Sequence, residues 1–181
     1  MLIGICGKSG TGKSTLAKEL EQLGYNKVVT DTTRPPRKGE KHGVDYYFDS
    51  DKDFDELYAE KQFVETSQYN TVHGVWRYGT TIGALEDAGD KAVIVLNPDG
   101  VKAFKKKKIN IKIVLVKTSD NTILDRLCER GDDPQEVIRR MNADDEDFAD
   151  IDKYVDYTVE NEKDSNIKEL VQKIIKFSED K

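Results

Sequence analysis

Apolar residues follow two rhythms along this chain. Met1–Cys6, Ala92–Leu96 and Ile109–Val116 are short and nearly continuous apolar runs, the pattern of strands covered on both faces of a parallel sheet. Asn26–Val29 and Tyr154–Val159 read as two further short strands. Between them the apolar spacing turns helical: Thr15–Leu23 ends at Gly24, Thr81–Asp87 ends near Gly89, and Val101–Lys108 ends in four lysines. A long helical stretch follows over 121–149, with an acidic, returning helix expected at Asn142–Asp152, and Asn166–Phe177 forms a C-terminal helix. Strands alternating with helices predict an α/β domain built on a parallel sheet.

The first strand and first helix are joined by Gly7-Lys8-Ser9-Gly10-Thr11-Gly12-Lys13-Ser14. This fills every fixed position of the phosphate-binding loop G-x-x-x-x-G-K-[ST], in the strand–loop–helix order the motif requires. Glycines let successive N–H groups turn inward onto phosphate oxygens. Lys13 then reaches the β- and γ-phosphates, the Ser14 hydroxyl is placed for Mg²⁺, and the helix N-terminus favours the anion. The loop predicts a nucleoside triphosphate site formed by Gly7, Ser9, Gly10, Thr11, Gly12, Lys13, Ser14 and Thr15. The fold class becomes a P-loop NTPase-type parallel sheet flanked by helices.

Composition narrows the partners. The chain has 181 residues, enough for one domain with small insertions, and is 35% charged and 36% apolar. A net charge of −6 argues against a general nucleic-acid or membrane-surface binder. No signal peptide is read, and the longest apolar run, Ala92–Leu96, is far too short to span a bilayer. Cys6 and Cys128 lack metal-ligand spacing and suit a reducing cytoplasm. At a helix C-terminus, Lys105–Lys108 complement the dipole and read as a solvated end.

A second cluster of chemistry follows the strand at Asn26–Val29. In Thr30-Asp-Thr-Thr-Arg-Pro-Pro-Arg37 paired prolines stiffen a loop carrying Arg34 and Arg37, two forks suited to a phosphate. Then come Gly43-Val-Asp-Tyr-Tyr-Phe48, Phe63-Val-Glu65 and Tyr78-Gly-Thr80. In this order after a phosphate loop, T-T-R-x-P-R, G-x-D-Y-x-F, F-[IVL]-E and Y-G-[ST] make the chain resemble the guanylate kinases over essentially its whole length. The resemblance implies that ATP is the donor and GMP or dGMP the acceptor, with Mg²⁺. It implies that Arg34, Arg37, Tyr46 and Tyr78 hold the acceptor phosphate. Glu65 would meet the base, with Thr30 and Thr80 supplying hydroxyls near its O6. A carboxylate accepts the adjacent N1–H and N2–H₂ donors of guanine, and adenine has no such pair.

The chain departs from the family pattern in three places, the last of them between the arginines described below. Between Glu65 and Tyr78 it is a few residues longer, with Val72-His73-Gly74-Val75 as the tip of a longer hairpin. Where the family has D-x-D-x-x-G, this chain has Val95 and Asn97 before Gly100. Asn97 is the residue expected to meet the base or an arginine, without charge.

Arginine usage marks the third cluster. The chain has seven arginines, and Arg126, Arg130, Arg139 and Arg140 lie close together. Arg126 and Arg130 share a helix face, and Gly131 with Pro134 mark a break. The segment resembles the lid of nucleoside monophosphate kinases. It implies that Arg126, Arg130 and a third arginine, with Lys13, act on the transferring phosphoryl group; the family has one more residue before that third arginine, so Arg139 and Arg140 compete for the role, and Arg140 is favoured. Asp132, Asp133 and Glu136 are ion-pair candidates for the same arginines.

The expected layout is one kinase domain with its core at about 1–30, 79–123 and 150–181, an acceptor-binding insertion at about 31–78 and a lid at about 124–149. Two other readings are open: a kinase of the same build with a different nucleotide or sugar-phosphate acceptor, and a guanylate-kinase-like module that binds a protein without catalysis.

Overall fold

The computed structural model describes residues 1–180. In chain order its elements are β1 (Leu2–Cys6), α1 (Lys13–Gln22), β2 (Asn26–Lys27), β3 (Asp31–Thr32), β4 (Tyr47–Phe48), α2 (Asp51–Ala59), β5 (Phe63–Thr71), β6 (Gly74–Thr81), α3 (Ile82–Ala88), β7 (Ala92–Val95), α4 (Pro98–Lys106), β8 (Ile111–Lys117), α5 (Asp120–Arg130), α6 (Pro134–Asp147), a short 3₁₀ helix (Ile151–Tyr154), β9 (Tyr157–Glu160) and α7 (Ile167–Glu179).

The apolar runs become a five-stranded parallel sheet in the order β2-β7-β1-β8-β9. Side chains alternate across it. Ile3 and Ile5 of β1 face one way, onto Leu16 and Leu20 of α1 and Ile174 of α7. Cys6, Ile94 and Ile113 face the other way, with Phe104 of α4 and Ile151. Full burial of each such side chain contributes roughly 1.5–3 kcal/mol. The loop from β1 to α1 therefore lies at the carboxyl edge of the sheet's central strand, where open parallel sheets place their ligands.

Residues 31–81 carry a second sheet, ordered β4-β3-β6-β5. Strands β5 and β6 form an antiparallel hairpin whose register runs from Glu65↔Thr80 through Tyr69↔Trp76 to Thr71↔Gly74. Val72 and His73 make the turn, as expected, and Gly74 follows with φ +119°. Helix α2 was not anticipated. Its nine residues bury only Phe54 fully, so it has no apolar stripe, but Ser50 and Asp53 form a capping box, and Phe54 stacks on Phe63 at 4.5 Å.

Three expected boundaries shift. Helix α4 starts at Pro98 rather than Val101, because Asn97 caps it, its Oδ1 accepting the Gly100 N–H at 2.7 Å. The separate helix expected at Asn142–Asp152 is the second half of a continuous α6, since neither glycine nor proline interrupts 135–147. The lysine run is not wholly solvated: Lys105 pairs with Asp156 at 2.7 Å, and Lys107 donates to the Val64 carbonyl. Helices α5 and α6 share a small core of their own, Ile123, Leu127 and Val137.

One buried pair of acids joins β3 to the segment after β4. Asp31 is 4% exposed, and Asp31 and Asp49 each keep a buried carboxylate oxygen with no hydrogen-bond partner among the described residues. Burial, then the neighbouring Asp49, pushes the Asp31 carboxyl up to about 7. Unfolded, it titrates near 3.9. Between those values the native state holds the extra proton, so this group's contribution favours folding at low pH and is lost as pH rises toward 7. Asp31→Asn is expected to flatten the Tm profile between about pH 4 and 7 and to raise Tm at pH 8 by about 2–4 °C per kcal/mol recovered. Thermal unfolding of both proteins across that range checks it.

Candidate active site

A cleft of about 390 Å³ opens between the β1–α1 loop, the second sheet and the α5–α6 pair. Its floor is the glycine loop. Gly12 has φ +92°, and a Cβ there would collide with the Asn161 side chain. Asn161, 2% exposed, braces the loop by donating from Nδ2 to the Thr11 carbonyl at 2.8 Å. Lys13 Nζ donates to the Gly7 and Lys8 carbonyls at 2.7 and 2.8 Å. Enclosure pushes its ammonium down to about 8, against the upward pull of Asp144. Asp144 comes from α6: its Oδ2 accepts the Ser9 N–H at 2.6 Å, and Asp145 pairs with Lys8. Two carboxylates of α6 thus rest on the loop's anion-seeking edge. Arg126 bridges the loop to the segment after β9, donating to the Gly10 and Glu162 carbonyls at 3.3 and 3.1 Å.

The opposite wall comes from the stiff proline loop and the hairpin. Arg34, 2% exposed, is held in a two-pronged pair with Glu40 at 2.9 and 3.0 Å, and its guanidinium lies 5.4 Å from the Tyr46 ring centroid. Glu40 also accepts the Arg37 N–H at 2.7 Å. The Arg37 guanidinium is pushed down first by burial, then by Arg34, Arg130 and Arg140, so these cations converge. Tyr46 and Tyr78 meet edge to face at 6.2 Å.

Further along the hairpin, Glu65 Oε1 accepts the Thr80 hydroxyl at 2.6 Å. Glu65 Oε2 is buried with no hydrogen-bond partner among the described residues, and burial holds the carboxyl above its usual range. An acceptor atom left bare beside a cleft calls for a donor.

The arginines of α5 and α6 are all partnered. Arg130 forms a fork with Asp132. Arg140 donates to Glu136 at 2.7 Å and reaches Asp132 at 3.4 Å. Arg139 grips both oxygens of Glu136 at 2.9 Å. Glu136 is 3% exposed. Burial would raise its carboxyl, but hydrogen bonds from Arg139, the Val72 backbone and Arg140 hold it down at about 2.

The cleft brings together Gly7, Ser9, Gly10, Gly12, Lys13, Ser14, Thr15, Thr30, Arg34, Arg37, Tyr46, Glu65, Tyr78, Thr80, Asn97, Arg126, Arg130 and Arg140. Thr11 is the exception. Its hydroxyl turns under the loop to the Lys8 carbonyl at 2.9 Å and faces away. Two of these residues already have partners within the protein. The Thr80 hydroxyl donates to Glu65 and so orients that carboxylate. Asn97 is held on both sides, its Oδ1 by Gly100 and its Nδ2 donating to Ser67 Oγ at 2.5 Å; the fold uses it as a cap. Asn161, Asp144, Ser67 and Trp76 were missed. None of these leaves a local sequence signal, because each acts on a residue far away in the chain.

A phosphate loop, an arginine-lined acceptor wall and an arginine-bearing helical pair around one cleft define a P-loop phosphotransferase of the nucleoside monophosphate kinase class. The Guanylate kinase family model matches residues 1–178. The guanylate kinase of Rickettsia prowazekii is 32% identical over 97% of this chain and 90% of its own length. That of Prochlorococcus marinus is 33% identical over 97% and 96%. In fold, the chain superimposes on the solved guanylate kinase of Anaplasma phagocytophilum with a TM-score of 0.72 at 24% identity, over 96% of this chain and 81% of that one. The chain belongs to the guanylate kinase family, whose known activity is phosphoryl transfer from ATP to GMP. Among the described residues no helix is long and apolar enough to cross a membrane.

The Asp144 contact makes a direct prediction. Its carboxylate occupies an N–H at the loop and must yield to donor phosphates. Asp144→Asn is expected to tighten ATP binding without acceptor by roughly threefold to tenfold, the scale of one charge removed from a helix N-terminal site. Calorimetric titration of both proteins with ATP measures it.

Proposed function

We propose that the protein transfers the γ-phosphoryl group of Mg-ATP to GMP or dGMP. The observation that carries the guanine assignment is the bare, buried Oε2 of Glu65 beside the arginine-lined wall. Guanine presents N1–H and N2–H₂ side by side to such a carboxylate. Adenine would set a lone pair against it and leave it unmatched, which discriminates strongly.

In this reading Arg34 and Arg37 grip the acceptor phosphate, with Tyr46 and Tyr78 closing over it. Glu40 holds the Arg34 fork until the substrate arrives. The loop cradles the donor phosphates, and Lys13 turns from its carbonyl partners to the β- and γ-oxygens. An acceptor phosphate oxygen attacks the γ-phosphorus while the bond to the β-phosphate oxygen breaks, leaving ADP and GDP. The attacking oxygen is already ionised, so no general base is needed. Charge on the transferring group is met by Lys13 and Arg126 as they leave their backbone carbonyl partners, and by Arg130 and Arg140 as Asp132 and Glu136 are displaced. Closure of the helical pair excludes water, which protects ATP from hydrolysis.

Mg²⁺ fits this donor set. The Ser14 hydroxyl lines the cleft and makes no hydrogen bond to another described residue. Among the described residues no cluster of three or more His, Cys, Asp or Glu is arranged for a metal, which agrees with an ion held mainly by phosphate oxygens and water. Bound there, it would neutralise charge on the β- and γ-phosphates. The layout into a core, an acceptor-binding insertion at 31–78 and a lid at 124–149 follows the two sheets and the separate small core of α5 and α6. The unpaired Cys6 and Cys128 support a cytoplasmic setting.

ADP release from Mg-ATP with GMP, dGMP, AMP, CMP and UMP tests the proposal. Turnover is expected with GMP and dGMP only, and a fall of at least 100-fold in Lys13→Ala. Turnover with another acceptor alone would keep the mechanism and overturn the guanine assignment. No turnover would favour a binding module.

A further inference from the structure

The hairpin that is longer than the family pattern ends on the lid. Its tip donates the Val72 N–H to Glu136 Oε2 at 3.2 Å. Beside the tip, the Arg140 guanidinium lies 5.8 Å from the centroid of the Trp76 ring, with His73 stacked on that ring at 6.0 Å. The same two strands carry Glu65, Tyr78 and Thr80. Trp76 and Tyr78 are two apart and share a face. The face continues across the register through Tyr69, which pairs with Trp76 and meets Tyr78 edge to face at 5.9 Å. A continuous aromatic wall therefore runs from the acceptor-phosphate wall to the lid arginines.

We propose that the β5–β6 hairpin tip is a clasp that sets the lid arginines in register with the acceptor, with Trp76 and the Val72 N–H as its points of contact and Glu136 as the pivot. This rests on the proposed acceptor and lid roles above. The alternative is that α5 and α6, which have their own core, orient their arginines unaided. Charge argues against that. Arg37, Arg130 and Arg140 converge, and with no phosphate between them they repel. Glu136 holds Arg140 and Arg139 together, but it is itself buried, and a buried carboxylate needs its hydrogen bonds filled. The hairpin supplies one of them. The Trp76 face adds an attraction for Arg140 that a shorter hairpin would lack. Trp76 and Glu136 are thus positioning residues: they touch the arginine, not the reacting atoms. Through the shared strands, a shift at Glu65 or Tyr78 when the acceptor binds is carried to Arg140.

Three variants separate the clasp from general stability. Val72→Pro removes the N–H at the first turn residue, whose φ is not positive and whose side chain is exposed. Trp76→Ala removes the ring, and Trp76→Phe restores a face. Val72→Pro and Trp76→Ala are expected to lower kcat with GMP roughly 3- to 30-fold, with KM for ATP within about twofold of wild type and Trp76→Phe recovering most of the loss. Wild-type kcat in both variants would overturn the clasp. So would a loss of kcat with KM for both substrates and Tm shifting together. Trp76 is the chain's single tryptophan, so its emission reads the contact without turnover. Glu136→Gln is expected to change that emission, and an unchanged spectrum would overturn the clasp. Failure of the acceptor reading is distinguishable: wild type would not turn over GMP, yet the emission change would persist.

Discussion

Cations crowded around a place for phosphate are the constraint the rest of the molecule answers to. Lys13 is held down by enclosure and then by Arg130 and Arg37; Arg37 is held down by burial and then by three other arginines. Such a set is stable without ligand only if carboxylates stand in for the missing anions. Three do so from the segment they serve, and the fourth does so from across the cleft. Glu40 sits on the proline loop with Arg34, Asp132 and Glu136 lie on the lid beside Arg130 and Arg140, and Asp144 reaches from the lid to the phosphate loop. In the proposed mechanism, substrates exchange one set of charge-assisted bonds for another.

Holding those groups within reach is the task of two sheets. The parallel sheet presents the glycine loop at its carboxyl edge, fixed by β1 lying between β7 and β8. The smaller sheet presents Glu65, Tyr78 and Thr80 on a hairpin that is continuous with a contact to the lid. The α5–α6 pair has a small core of its own, yet α6 touches both the hairpin, through Glu136, and the phosphate loop, through Asp144. Donor and acceptor sites are thereby joined by one helix.

Local patterns in the chain made the fold and most of the cleft legible. The glycine loop needs particular residues at particular spacing because its backbone must turn inward, so it reads directly. The parallel strands read from their apolar runs, and the turn at Val72-His73 from the flanking pattern. What escaped depends on partners far away in sequence. Asp144 meets Ser9 across 135 positions, and Asn161 meets Thr11 across 150; no local pattern encodes either. Asn97, ahead of Pro98, caps α4 through Oδ1 and donates from Nδ2 to Ser67, contacts that the apolar pattern of the segment did not announce. Helix α2 lacked an apolar stripe and was announced only by its Ser50–Asp53 box.

The central claim is that the uncovered oxygen of Glu65 selects the acceptor's base, and equilibrium binding of GMP tests it without any chemistry. Titration of wild type and Glu65→Gln with GMP and with AMP, followed by calorimetry, is the measurement. The account predicts that wild type binds GMP at least about 100-fold more tightly than AMP, and that Glu65→Gln, which presents a donor where an acceptor is needed, loses most of that preference. GMP binding unchanged in Glu65→Gln would contradict it.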